Sequence, residues 1–146
     1  MTSTGEEDDE RITRHRRERD GWEFVTVEQP VFIEDILNKC DCGGSFLLDS
    51  LTALLANEMF PPDGSFDEHA GERIQSGLSQ VLSKLEDIVV VSDYIYGDAL
   101  IFDRLTEQYR RSLAEIDRAA AKMCDVVLEI AYSGVIVHKG DYEKAF

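Results

Sequence analysis

The run Ser45-Phe46-Leu47-Leu48-Asp49-Ser50-Leu51-Thr52 decides the fold: an apolar stretch ends in a carboxylate and passes at once into the helical pattern Leu51 to Met59. A second continuous apolar stretch, Ile88-Val89-Val90-Val91, is followed by Ser92-Asp93. Strands apolar at every position are expected to be buried on both faces, as in a parallel sheet covered by helices. Between the two, Ile74, Leu78, Val81, Leu82 and Leu85 form one helical stripe, and Pro61-Pro62-Asp63-Gly64 breaks the helix before it. Upstream, Trp22 to Val27 alternates as a strand would and Pro30 closes it; Val31 to Leu37 suggests a short helix, and Gly43-Gly44 a turn. Downstream, Leu105, Tyr109, Leu113, Ile116, Ala120 and Met123 mark a long helix. Val126 to Ala131, a Ser133-Gly134 turn and Val135 to His138 read as a terminal β-hairpin. The expected class is α/β, with a mostly parallel sheet flanked by helices and a C-terminal hairpin.

The chain of 146 residues, 43% hydrophobic and 31% charged, suits one domain spanning 1–146. It carries 30 acidic against 15 basic residues, a formal charge of -15 and a pI near 4.4. Long-range repulsion then opposes binding to nucleic acid or an anionic membrane, so a phosphate partner must be held by local groups. Neither a membrane-spanning run nor a signal peptide is read from the sequence, which points to the cytoplasm. Cys40, Cys42 and Cys124 give no disulfide framework. A zinc site would have to join His69 or His138 to the Cys40-Asp41-Cys42 pair without the usual two-residue gap. The simpler reading is that Cys124 is a small buried hydrophobe and the other two flank a turn.

One segment reverses the sign of the charge. Arg11-Ile12-Thr13-Arg14-His15-Arg16-Arg17-Glu18-Arg19 places five arginines around one histidine. On a helix, Arg11, His15 and Arg19 share a face, so an imidazole stands between guanidinium groups suited to phosphate oxygens. Neighbouring positive charge disfavours imidazolium and keeps the ring neutral and nucleophilic. The alternative is a solvated helix whose arginines pair with Glu7 and Glu10.

Asp49 and Ser92-Asp93 fall at the carboxyl ends of the two expected parallel strands, the edge where open α/β sheets bind ligands. A carboxylate there suits a magnesium ion held against nucleotide phosphates; it equally suits a helix cap. The loop Gly-x-x-x-x-Gly-Lys-Ser/Thr is absent, and Gly43-Gly44 precedes its strand and has no lysine in register.

Four blocks in order carry a family resemblance: Arg11-Ile12-x-x-His15-Arg16 behind acidic residues; Phe24-Val25-Thr26-Val27-Glu28-Gln29-Pro30; Leu47-Leu48-Asp49-Ser50-Leu51-Thr52 with Asn57 beyond; and Val89-Val90-Val91-Ser92 with the helix from Arg104-Leu105 through Tyr109-Arg110 to Leu113. Spanning about residues 6 to 138, they resemble the bifunctional adenosylcobinamide kinase and adenosylcobinamide-phosphate guanylyltransferase family of cobalamin assembly. The resemblance implies a P-loop NTPase-like sheet. It implies that His15 attacks the α-phosphate of GTP, carries GMP as a phosphoramidate and passes it to adenosylcobinamide phosphate. A second implied activity phosphorylates adenosylcobinamide with ATP or GTP. In that frame Arg11, Arg16, Arg19 and Glu28 contact nucleotide and phosphate, Asp49 holds Mg2+, and the chain assembles as a homo-oligomer, a trimer being the expected form.

Several positions depart from the family pattern. Ser-Asn-Glu-Val-Gly is replaced by Ser92-Asp93-Tyr94-Ile95-Tyr96-Gly97, and an Asn-Gln pair in the long helix by Asp117-Arg118. Tyr94 and Tyr96 are expected to pack the strand end, with lining of a corrinoid cleft as the alternative. Family members begin with a strand, the phosphate loop and a helix, roughly 30 residues that are expected to be missing here. Two functional classes follow: an enzyme of cobalamin assembly lacking that first unit, or a noncatalytic remnant or regulatory subunit that keeps a binding surface.

Overall fold

The computed structural model describes residues 25–144. Among these described residues, four strands and three α-helices follow in the order β1 (Ser45–Asp49), α1 (Leu51–Met59), α2 (Ala70–Lys84), β2 (Asp87–Val91), α3 (Arg104–Met123), β3 (Val127–Ala131) and β4 (Gly134–Lys139). Short 3-10 helices span Ile33–Asn38 and Tyr142–Lys144. β1 and β2 pair in parallel, with Ser45 opposite Asp87 and Asp49 opposite Val91; β3 and β4 form an antiparallel hairpin. The expected α/β class holds, with the parallel pair joined by a helical crossover.

The helices form where apolar spacing and caps agree. The Ser50 side chain accepts from the Ala53 amide at 3.2 Å and opens α1. The chain turns after α1 at Pro61–Gly64, where Gly64 sits at φ 79°, a region open to glycine. Asp103 opens α3 by accepting from Leu105 and Thr106 amides at 2.9 and 3.2 Å. The largest fully buried side chains of the core are Leu51, Leu55 and Met59 from α1, Ile74, Leu78 and Val81 from α2, and Leu113 and Ile116 from α3. Helices α2 and α3 approach closely because Gly71 presents no side chain; a Cβ there would stand 3.1 Å from the Ser112 Cβ. No described helix is long and apolar enough to cross a membrane.

A buried ion pair ties the segment before β1 to this core. Glu58 on α1 is 5% exposed; one carboxylate oxygen accepts from the Phe32 amide at 2.9 Å and the other from Arg73 Nε at 2.7 Å. Arg73 Nη1 reaches Asp67 at 2.9 Å, and its guanidinium lies 5.6 Å from the Phe32 ring centroid. Burial works to lower the Arg73 pKa, but the hydrogen bonds and charges of Glu58 and Asp67 outweigh it and raise it. The hairpin is tied to α3 by Lys139, whose Nζ donates to the carbonyls of Ala121, Lys122 and Cys124 at 3.1, 3.1 and 2.6 Å. A cation there satisfies carbonyls left open at the helix end and complements its dipole.

Several expectations are corrected. Val25 to Val27 carries no regular structure, and Val25 is 88% exposed; alternation alone makes no strand without a neighbour to bond to, while Trp22 to Phe24 lie outside the described residues. The helix expected at Val31 to Leu37 is the 3-10 turn Ile33–Asn38. The all-apolar strands are not covered on both faces: Phe46, Leu48, Ile88 and Val90 pack on the core, whereas Leu47 and Val89 are 45% and 54% exposed. The hairpin turn is Tyr132-Ser133, at φ 51° and 63°, and Gly134 opens β4 opposite Ala131. Two left-handed residues match the twist of a two-residue hairpin, so the geometry of a type I′ turn prevails over residue preference. Cys40, Cys42 and Cys124 are free thiols, and Cys124 is partly buried rather than fully so, with burial raising its pKa.

Candidate functional site

The parallel register brings Asp49 and the Ser92-Asp93 pair to one carboxyl edge. Ser50, not Asp49, caps α1, which removes the structural role that competed for the Asp49 carboxylate. Asp49 is exposed, and it makes no hydrogen bond or ion pair with a described residue. Around it the backbone is fixed by contacts between elements. The Asp93 amide donates to Thr52 Oγ1 at 2.9 Å, and the Tyr109 hydroxyl donates to the Thr52 carbonyl at 2.8 Å, tying the first turn of α1 to the end of β2 and to α3. Burial raises the Tyr109 pKa, and the charge of Asp93 adds to the shift.

The loop from Ser92 to Asp103 is held from beneath by Arg110. This residue is 7% exposed and donates to the Ile95 carbonyl at 3.1 Å, to Asp98 at 2.7 Å and to Glu107 at 2.8 Å; its guanidinium also stacks 4.7 Å from the Phe102 ring centroid. A planar guanidinium with five donors is suited to hold several acceptors at once, so one side chain fixes a loop that has no regular structure. Tyr94 and Tyr96 meet edge to face at 4.7 Å. Tyr96 packs inward and donates its hydroxyl to Asp117 at 2.8 Å, as expected of a residue closing a strand end. Tyr94 departs from that expectation, being 68% exposed.

Asp117 on α3 is a partly buried carboxylate beside this edge. Burial raises its pKa, the Ser92 and Tyr96 hydroxyls lower it, and nearby Asp93 raises it again; the net shift is upward from 3.8. Ser92 Oγ and Asp117 Oδ1 are both buried, and although the hydroxyl is near enough to act on the carboxyl, neither atom makes a hydrogen bond of normal geometry. A folded pKa above the unfolded one makes a contribution to stability that is complete below about 3.8 and is lost as pH rises through the raised value. At neutral pH the buried charge therefore opposes folding. Asp117→Asn is expected to raise the urea midpoint at pH 7, since an amide keeps the acceptor for Tyr96 and offers Ser92 a donor. The gap between variant and wild type should close as the pH falls toward 4; a lower midpoint for Asn at pH 7 would contradict this assignment.

Of the residues singled out in the sequence, Asp49 is placed at the strand edge and Glu28 on the irregular, exposed segment before the 3-10 helix. Arg11, His15, Arg16 and Arg19 lie outside the described residues. Thr52, Tyr109, Arg110 and Asp117 were not singled out as site residues. Arg110 carried one signal, since it lies three residues before Leu113 and so on the apolar side of α3.

Among the described residues no cluster of three or more His, Cys, Asp or Glu could hold a metal. A magnesium ion needs no such cage, because one or two carboxylates, water and substrate phosphates suffice, and an exposed carboxylate at the strand edge without a partner among the described residues fits that requirement. No curated protein matches the chain. The family model described as cobinamide kinase / cobinamide phosphate guanyltransferase matches residues 2–138. That match takes in the arginine and histidine segment, the strand edge carrying Asp49 and the whole of α3, and the chain belongs to this family.

Proposed function

We propose that the protein is a transferase of cobalamin assembly that phosphorylates adenosylcobinamide and then transfers GMP from GTP to adenosylcobinamide phosphate through His15. The observation that carries this reading is the family match over residues 2–138, which includes the segment around His15. The imidazole attacks the α-phosphorus of GTP; a P–N bond forms, the bond to the β-phosphate oxygen breaks and pyrophosphate leaves. A phosphate oxygen of adenosylcobinamide phosphate then attacks the same phosphorus, forming the P–O–P link and releasing histidine. Arg11, Arg16 and Arg19 neutralise charge developing on the phosphoryl oxygens, and Glu28 contacts the nucleotide. Asp49 is the described residue that would hold Mg2+, whose chemistry there is to offset phosphate charge. ATP or GTP serves as donor in the kinase step. The reading extends to a cytoplasmic homo-oligomer, a trimer, that uses neither nucleic acid nor membrane as partner.

The test is incubation of the full-length protein, phosphate loop included, with GTP labelled at the α-phosphate in the presence of Mg2+. The expected result is protein-bound label that is lost in acid and kept in base, as a phosphoramidate requires. A chain that takes up no label is the outcome expected of a noncatalytic binding subunit and would overturn the enzymatic reading.

A further inference from the structure

An open cleft of about 610 Å3 lies between the loop that follows β2 and the flank of α3. We propose that it is an anion subsite in which Arg111 and Arg118 hold a small ligand bearing two linked phosphoryl groups. It uses neither His15 nor Asp49, so it stands apart from the transfer reaction proposed above.

The argument starts with what Arg110 does to the cleft wall. Asp98 and Glu107 both line the cleft, and both are bound to the buried Arg110, at 2.7 and 2.8 Å. These carboxylates are thereby kept from quenching the other two guanidinium groups. Arg111 and Arg118 also line the cleft, and neither makes a hydrogen bond or ion pair with a described residue. The chain has two acidic residues for every basic one, so two arginines on one side of a helix, unpaired among the described residues, stand against its composition. Glu115, the third carboxylate of the lining, falls four residues after Arg111 and three before Arg118, within reach of both, and makes an ion pair with neither. Three arginines and three carboxylates leave the lining neutral in a chain whose charge is -15, a local relief of the repulsion that keeps anions away elsewhere.

The spacing selects the ligand. Seven residues are two helical turns, so Arg111 and Arg118 project from one side of α3 about 10 Å apart along its axis. The two long side chains can converge from that interval on two linked phosphoryl groups, each guanidinium taking one through a pair of hydrogen bonds.

The experiment is titration calorimetry of the 146-residue chain with inorganic pyrophosphate, at low and at moderate salt, on wild type, the double variant Arg111→Ala/Arg118→Ala and His15→Ala. Both arginines are exposed, so the double variant should keep the wild-type circular dichroism spectrum. Expected are binding to wild type that weakens with salt, a loss of about tenfold or more in the double variant and unchanged binding in His15→Ala. The proposal is overturned if wild type binds no pyrophosphate, or if the double variant binds as tightly as wild type. It is equally overturned if His15→Ala loses binding while the double variant keeps it, which would place the anion at the arginine and histidine segment. Failure of guanylylation with the pyrophosphate result intact would sink the proposed reaction and leave this subsite standing.

Discussion

In His15→Ala, incorporation of α-label from GTP is expected to fall to background, while a variant that removes one neighbouring arginine should retain the label and acquire it more slowly. The two outcomes separate two kinds of contribution. The imidazole supplies the atom that bonds to phosphorus, and none of the arginines around it can replace it, because guanidinium is protonated at any working pH and has no free electron pair to donate. The arginines act on charge that grows on the phosphoryl oxygens as the bond to pyrophosphate breaks. Losing one such donor costs on the order of 10²- to 10³-fold in rate, so Arg16→Ala should label fully on long incubation. The readout is the time course of acid-labile label, with circular dichroism to establish that the variants fold. Label persisting in His15→Ala with unchanged chemistry would assign the nucleophile elsewhere. Equal rates in Arg16→Ala and wild type would return the arginines to the role of a solvated helix face.

What the sequence made legible, and what it did not, follows from the range of the interactions involved. The stripe Ile74, Leu78, Val81 and Leu85 reports directly on α2, because burial of one helical face is a local pattern, and each of these residues is buried. The apolar composition of Leu47, Val89 and Val91 gives the strands but not the cover of their outer face; hydrophobicity states a preference for burial, and the surroundings decide whether it is met. The turn was displaced by one residue because Gly134 lies beside the two left-handed positions instead of in them. At the site, Asp49 could be read from its place at the end of a strand, while a single hydrogen bond to Ser50 shows that the helix cap is the residue after it. Tyr109 and Thr52 meet across 57 positions of sequence, and no local pattern announces such a contact. Arg110 is the instructive miss: arginine is ordinarily exposed, and its burial here depends on a carbonyl and two carboxylates gathered from the loop and from α3 itself.

Replacing Glu58 by alanine is expected to destabilise the protein by about 3–5 kcal/mol, the largest effect of any single change outside the apolar core. The cost does not measure how much the ion pair stabilises the fold. It arises because Arg73 Nε and the Phe32 amide would both face the emptied site without an acceptor, one of them charged, beneath a carboxylate whose side chain is only 2% exposed. Asp67 remains to Arg73 on its open side, which keeps the loss nearer the lower bound. In a domain of this size the change corresponds to a fall in Tm of roughly 6–20 °C. Removing both charges distinguishes the cause. In Glu58→Leu/Arg73→Met the guanidinium is no longer stranded, apolar volume fills the site, and only the Phe32 amide loses its acceptor, so the double variant should be more stable than Glu58→Ala despite carrying one more substitution. If the double variant unfolds at the same denaturant concentration as Glu58→Ala, the penalty comes from the amide alone and the ion pair is a bystander. If it recovers most of the loss, the value of Arg73 lies in neutralising a carboxylate that the chain needs to anchor the Phe32 backbone, and with it the segment that leads from the arginine-rich stretch to the first strand.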